Sequence, residues 1–233
     1  MKACGELTVE RSEGRDRVTR LRSQAPLVLR MHASTLHLVG GAAGPLAGDE
    51  TCLRLRVGPG AQLAVRSSAA ALTLPGRGSL PSSSRVHVDI GAGGSLDWSP
   101  EPVVLAAGSH HRVSVVVTLT PTSVLRWREV VVLGRHGEPP GLLETSLLVS
   151  RGGAPLLWQE HVWGTGAPAG WDGPAGIGPA RVVASLLDVG HPAAPATRGA
   201  AATTSAACLA IAEDARLQLA LGASVPDVLP LLR

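Results

Sequence analysis

Imidazole and carboxylate are the groups with which a protein chain holds first-row divalent metals. The 233-residue chain carries eight histidines, His32, His37, His87, His110, His111, His136, His161 and His191, spread along its length. His110-His111 is the only cluster, and no His-x-x-x-His pair at helical spacing exists. Adjacent residues of a strand point to opposite faces, so these two share an ion only if they sit in a loop. Following Gly108-Ser109, they also read as two solvated turn histidines. Four acids stand in glycine- and proline-rich settings: Asp49 after Gly48, Asp97 before Trp98, Glu101 between Pro100 and Pro102, and Glu138 after Gly137. Prolines on both sides restrict the backbone around Glu101 and aim its carboxylate. Turn hydrogen bonding alone also accounts for acids in such places. Arg135 and Glu138 flank Gly137 and form either a local ion pair or a contact for a partner protein.

Other chemistries are excluded more firmly. A phosphate-binding loop needs a lysine to neutralise the β/γ-phosphates, and Lys2 is the only lysine. Schiff-base and kinase-type chemistry fall with it. Gly58 and Gly60 are followed by a strand-like run, so the helix N-terminus that holds a pyrophosphate is missing. There is no Gly-x-Ser-x-Gly elbow, and no catalytic constellation stands out. The formal net charge is +3. Its arginines are scattered and there is no Tyr or Phe to stack on bases, which argues against nucleic acid. Cys4, Cys52 and Cys208 are few, odd in number and far apart, as suits free thiols in a reducing cytosol. The N-terminal residues lack the apolar core of a signal peptide, and no run reaches the length of a membrane span. The expectation is a soluble cytoplasmic protein.

The elements that position these groups are strands. Period-two runs recur at Glu6–Arg11, Arg17–Ser23, Leu27–His32, Thr35–Val39, Leu53–Val57, Gln62–Ser67, Arg85–Ile90, Arg112–Leu119, Val124–Leu133, Leu142–Ser150, Pro155–Trp163 and Arg181–Val189. Gly58-Pro59-Gly60 predicts a tight turn joining two neighbouring strands as a hairpin. Val113, Val115 and Val117 form one face of a strand whose other face is half apolar, which predicts cover on both sides. Residues 164–179 read as a surface loop with Trp171 as anchor, and 191–202 as a Pro/Ala linker. Ala207–Ala212 and Arg216–Leu221 predict a hairpin turning at Glu213-Asp214. Ser224 and Pro226 start a short terminal helix that Pro230 weakens. With aromatics at 2%, all of them Trp, the core must be aliphatic. Many short strands predict an all-β sandwich or solenoid in a single domain, 1–233.

Three blocks resemble the urease accessory protein family UreD, also called UreH. The first runs from Gly40-Gly41 through Gly48-Asp49 and Val57-Gly58-Pro59-Gly60-Ala61 into the small residues Ser67–Ala71. The second is Leu96-Asp97-Trp98-Ser99-Pro100-Glu101-Pro102, and the third Leu133-Gly134-Arg135-His136-Gly137-Glu138. They come in the family's order, and the similarity extends from about Gly5 to Gly190. The resemblance implies a mainly β, solenoid-like fold of stacked sheets with little helix, and no enzymatic turnover. It implies a scaffold that docks on apo-urease and on UreF, which carries the GTPase UreG, with room for a dimer within the accessory complex. Nickel is then in transit and not retained, and GTP is bound by UreG. Along a nickel route the resemblance makes Glu101, Asp49, Asp97, Glu138, His110 and His111 the candidates, and Arg135 and Trp98 candidates for partner contact.

The chain departs from the family pattern after the Gly-Pro-Gly strand. No lysine follows the small-residue run, and Leu74 and Pro75 stand where aromatics are usual. Beyond Gly190 the match is poor. A non-catalytic β-sandwich module for a glycan or protein ligand remains the alternative, although the absent Tyr weakens a glycan site. A hydrolase whose triad assembles only in space is the third reading.

Overall fold

A computed structural model describes residues 1–191, 197–201 and 204–232. In chain order its elements are β1 (Lys2–Ser12), β2 (Arg15–Arg22), β3 (Leu27–His32), β4 (Thr35–Gly40), β5 (Glu50–Val57), β6 (Gln62–Ser67), β7 (Ala71–Thr73), β8 (Ser82–Ile90), β9 (Ser95–Trp98), β10 (Val103–Leu105), β11 (His110–Leu119), β12 (Val124–Leu133), β13 (Leu142–Arg151), β14 (Ala154–Trp163), β15 (Val182–Val189), β16 (Thr197–Ala201), β17 (Thr204–Ala212), β18 (Ala215–Gly222) and α1 (Val225–Val228), with a 3₁₀ turn at Leu229–Leu231. The fold is mainly β and solenoid-like, as expected from the sequence.

Two sheets face each other. The first runs β14-β13-β11-β8-β5-β1-β2, and the second β16-β17-β18-β15-β12-β9-β6-β4-β3, with β10 bridging β7 and β12. The pairs β1/β5, β5/β8, β8/β11 and β11/β13 are parallel in the first sheet, as are β4/β6, β6/β9 and β9/β12 in the second. The chain therefore crosses from one sheet to the other and back in each coil, and successive coils stack.

Gly58-Pro59-Gly60 is such a crossing, which corrects the hairpin expectation: β5 and β6 lie in different sheets. Alternation along each strand is the same in a hairpin and in an arch, so the local pattern cannot separate them. Corners stack on one another through Gly60 N–H to Ala92 C=O and Val124 N–H to Gly94 C=O, each 2.9 Å. Gly60 has φ +66, and a Cβ on Gly91 would stand 2.8 Å from Pro59 N. Both positions require glycine.

Between the sheets lie ladders of in-register side chains. Leu7, Leu55, Val88, Val117 and Val149 form one in the first sheet. Leu36, Val65, Trp98, Trp127, Leu187 and Leu217 form another in the second. All are buried, and each large side chain so placed contributes about 1.5–3 kcal/mol. The Trp98 and Trp127 rings stack at 4.5 Å with 6° between planes.

Several local expectations change. The outer face of β11 carries exposed Ser114 and Thr118 beside half-buried Val116, so it is open and not covered. Residues 197–201 of the expected linker form β16, paired with β17; residues 192–196 and 202 of it lie outside the described residues. The turn-rich segment 164–179 holds no strand, and its Trp171 and Ile177 pack on Leu105, Leu133 and Leu143 at the end of the sandwich. The terminal helix is a single turn, its Val228 sealing Val130, Val182, Leu186 and Ala220 on the outer face of the second sheet. Ser224 Oγ bonds the Asp227 carboxylate at 2.6 Å instead of capping a backbone N–H. Among the described residues no helix is long and apolar enough to cross a membrane.

Candidate functional site

The eight candidate residues do not converge. Asp49 is buried; its carboxylate meets the chain's amino group at Met1 and accepts the Leu46 N–H at 2.9 Å. Burial pushes this carboxyl up, and those two contacts outweigh it, leaving it below the ordinary range. Asp97 points away from the core, held by the Arg66 guanidinium and by Ser99 Oγ at 2.7 Å. Trp98 is 7% exposed within the core. It therefore offers a partner no surface, and its place in the motif is explained by its stack on Trp127.

His110 and His111 open β11 instead of lying in a turn, and they face opposite sides as strand neighbours must. His110 Nε2 meets the Glu144 carboxylate at 2.6 Å, where Arg112 also binds at 3.1 Å. His111 is buried against Ser82 Oγ at 2.8 Å. Burial, with the neighbouring His110 adding, lowers its pKa to about 4, so it stays neutral. Shared ligation of one ion is excluded by this geometry.

Arg135 and Glu138 grip each other in two parallel bonds, Nε to Oε1 at 2.7 Å and Nη2 to Oε2 at 2.9 Å. Glu138 also accepts the N–H groups of Arg135 and Ala107 at 3.0 and 3.3 Å. The Arg135 guanidinium is the main reason its pKa falls to about 2. Arg181 ties the same corner by donating to the carbonyls of Leu133 and Arg135, both at 2.9 Å. The block builds a corner. Among the described residues no three His, Cys, Asp or Glu side chains assemble as a metal-binding group.

The second sheet has a break, and a carboxylate that sequence reading overlooked lies at it. β12 pairs with β9 up to Trp127 and with β10 from Val131, so Arg128–Val130 have no ladder partner on that side. Ser99–Pro102 fill the gap, and the two prolines among them have no N–H to continue a ladder. Arg128 reaches across, donating to the carbonyls of Ser99 and Pro100 at 3.3 and 3.4 Å. Glu101 is exposed on this segment, its backbone N–H bonded to Ser67 Oγ at 2.9 Å. Burial lowers the Arg128 pKa and Arg66 adds to this, against the pull of Glu101 and Asp97.

Glu129 sits at the same break on the inner face, in step with Trp127 and Val131 and beside Ser185 of β15. Protein encloses its carboxyl, although the residue keeps some accessible surface. Burial raises its pKa; the Trp127 indole lies close enough to oppose this, yet its N–H makes no hydrogen bond of good geometry. No cationic group among the described residues pairs with it, whereas Asp49 has the Met1 amino group and Asp97, Glu138 and Glu144 have arginine or histidine partners. The signal in the sequence was a single acid at an inward position of β12, between Trp127 and Val131, where the alternation demands an apolar residue. A carboxylate in such a place can hold a cation weakly and release it.

The chain has clear relatives. The model of the family described as UreD urease accessory protein matches residues 1–233. The match reaches the C-terminus, which corrects the expectation that similarity ends near Gly190. Urease accessory protein UreD of Frankia alni is 41% identical over 240 residues, spanning 86% of this chain and 79% of that protein. Urease accessory protein UreD 1 of Saccharopolyspora erythraea is 38% identical over 242 residues, spanning 95% of both. Urease accessory protein UreD 3 of Streptomyces griseus is 41% identical over 197 residues, spanning 80% of this chain and 76% of that protein. This chain belongs to the UreD family of urease accessory proteins.

Proposed function

We propose that this chain acts in urease maturation as a non-catalytic cytoplasmic scaffold, docking apo-urease and UreF while nickel moves along it to the urease active site. UreF brings the GTPase UreG, and GTP is bound there. The observation that carries the nickel reading is Glu129, a carboxylate enclosed at a break in the sheet with no arginine, lysine or histidine partner among the described residues, with Glu101 on the segment that fills the same break. A route needs groups that bind weakly enough to let go, and isolated carboxylates bind divalent nickel less tightly than a set of imidazoles. Trp98 is withdrawn from the partner contacts, and Asp49, Asp97 and Glu138 from the principal route, because each already has a structural role.

The reading is tested in cells that express urease with its accessory proteins under limiting nickel. Deleting this chain should abolish activation; full activity in the deletion would end the proposal. Tagged chain should recover UreF and apo-urease, whereas retention of a sugar with neither protein would favour the glycan-binding alternative. Glu101→Ala should lower activation with the complex intact. Loss of assembly would instead place Glu101 at an interface, and full activation would remove it from the route.

A further inference from the structure

Cys4 and Cys52 are partners in register between parallel β1 and β5, both pointing to the outer face of the first sheet. Cys4 is exposed, with its backbone N–H bonded to Gln24 Oε1 at 3.2 Å, and Cys52 is half-buried beside it. Burial first, and then the neighbouring Cys4 thiol, hold the Cys52 thiol above its ordinary pKa against the pull of Arg54 and Arg85. The third thiol, Cys208, lies in β17 of the other sheet.

We propose that Cys4 and Cys52 form a thiol–disulfide exchange site that takes a low-molecular-weight disulfide and closes a reversible covalent staple between the first two coils. Neighbouring strands run about 4.7–4.9 Å apart, inside the roughly 4.4–6.8 Å of Cα separation that a disulfide spans. Parallel side chains leave the Cβ atoms near that same spacing, wider than the ~3.8 Å a relaxed bond prefers. The staple therefore closes under strain, and strained disulfides are the readily reduced, labile ones. The exposed Cys4 reacts first. Its thiolate attacks one sulfur of RS–SR, forming Cys4–S–SR and expelling RS⁻, which takes up the proton that Cys4 lost. Cys52 then gives up its proton and attacks the Cys4 sulfur, expelling the second RSH. Two protein thiols and one RS–SR become one protein disulfide and two RSH, with two electrons passing to the small disulfide.

The test treats the full folded chain, freed of reductant, with oxidised glutathione and reads intact mass and peptide maps. The expected product is lighter by two hydrogens, with Cys4 and Cys52 cross-linked, Cys208 outside the bond, and full reversal by dithiothreitol. Cys52→Ser should instead gain one glutathionyl group on Cys4, and Cys208→Ser should still close the staple. The proposal is overturned if the untouched chain ends with glutathione on both Cys4 and Cys52, if both remain free thiols, or if the bond forms through Cys208.

Discussion

Glu138 stands at a corner between the sheets, gripped on both carboxylate oxygens by Arg135 and reinforced by two backbone N–H groups. Glu129 stands on the inner face of β12, enclosed, with an indole for company and no cationic side chain paired with it among the described residues. One environment drives the carboxyl pKa down to about 2 and the other drives it up. The first acid earns its place by holding a turn. The second costs stability where it stands, and an enclosed carboxyl of raised pKa is a candidate for a functional role. The family motif draws the eye to the corner; the proposed nickel route draws it to the break in the sheet.

The largest way to disturb the contrast is to remove the floor under Glu129. Trp127→Ala should cost about 3–5 kcal/mol, the scale of deleting a buried tryptophan. Chemical denaturation should show it, and a loss under about 1 kcal/mol would mean the two-ring stack is not the packing centre described here. Next comes Glu129→Gln, which keeps the shape and removes the charge. Because the folded pKa lies above the unfolded 4.5, the wild type loses stability as pH rises from about 4.5 through that raised value, and then levels off. The variant should lack this decline and melt higher at neutral pH, each 1 kcal/mol regained showing as about 2–4 °C in a chain of this size. A variant that melts lower at every pH would mean the carboxylate is structurally paired after all. The smallest effect belongs to Glu138→Gln. The wild-type carboxylate stabilises above the unfolded 4.5, and this is lost as pH falls toward about 2. The variant should show a slight drop in Tm at neutral pH, little further acid dependence from this group, and urease activation close to wild type. A strong activation defect with intact assembly would return Glu138 to the nickel route.

Much of the fold was legible because the inner faces are strictly periodic. Leu27–His32, Gln62–Ser67 and Val124–Leu133 are strands end to end as read from alternation. β7, β9 and β10 were missed because three or four residues carry too little period, and their partners lie in other coils. The same limit turned the Gly58-Pro59-Gly60 crossing into an expected hairpin. For the site, spacing showed that His110 and His111 could not share an ion on a strand, but it did not place them on β11. Within the motif blocks, packing already accounts for Trp98 and the corner already accounts for Glu138. Glu129 was readable only as an exception to a pattern: an acid among Leu125, Trp127, Val131 and Leu133.

The most direct test of the nickel route is the metal content of urease matured with Glu129→Gln in place of the wild-type chain, measured alongside recovery of the accessory complex. The account predicts a fully assembled complex and urease with nickel reduced roughly 10-fold or more under limiting supply, on the scale by which losing a supporting group weakens a metal site. Urease loaded with nickel to the wild-type level, from a complex assembled to the wild-type level, would contradict it.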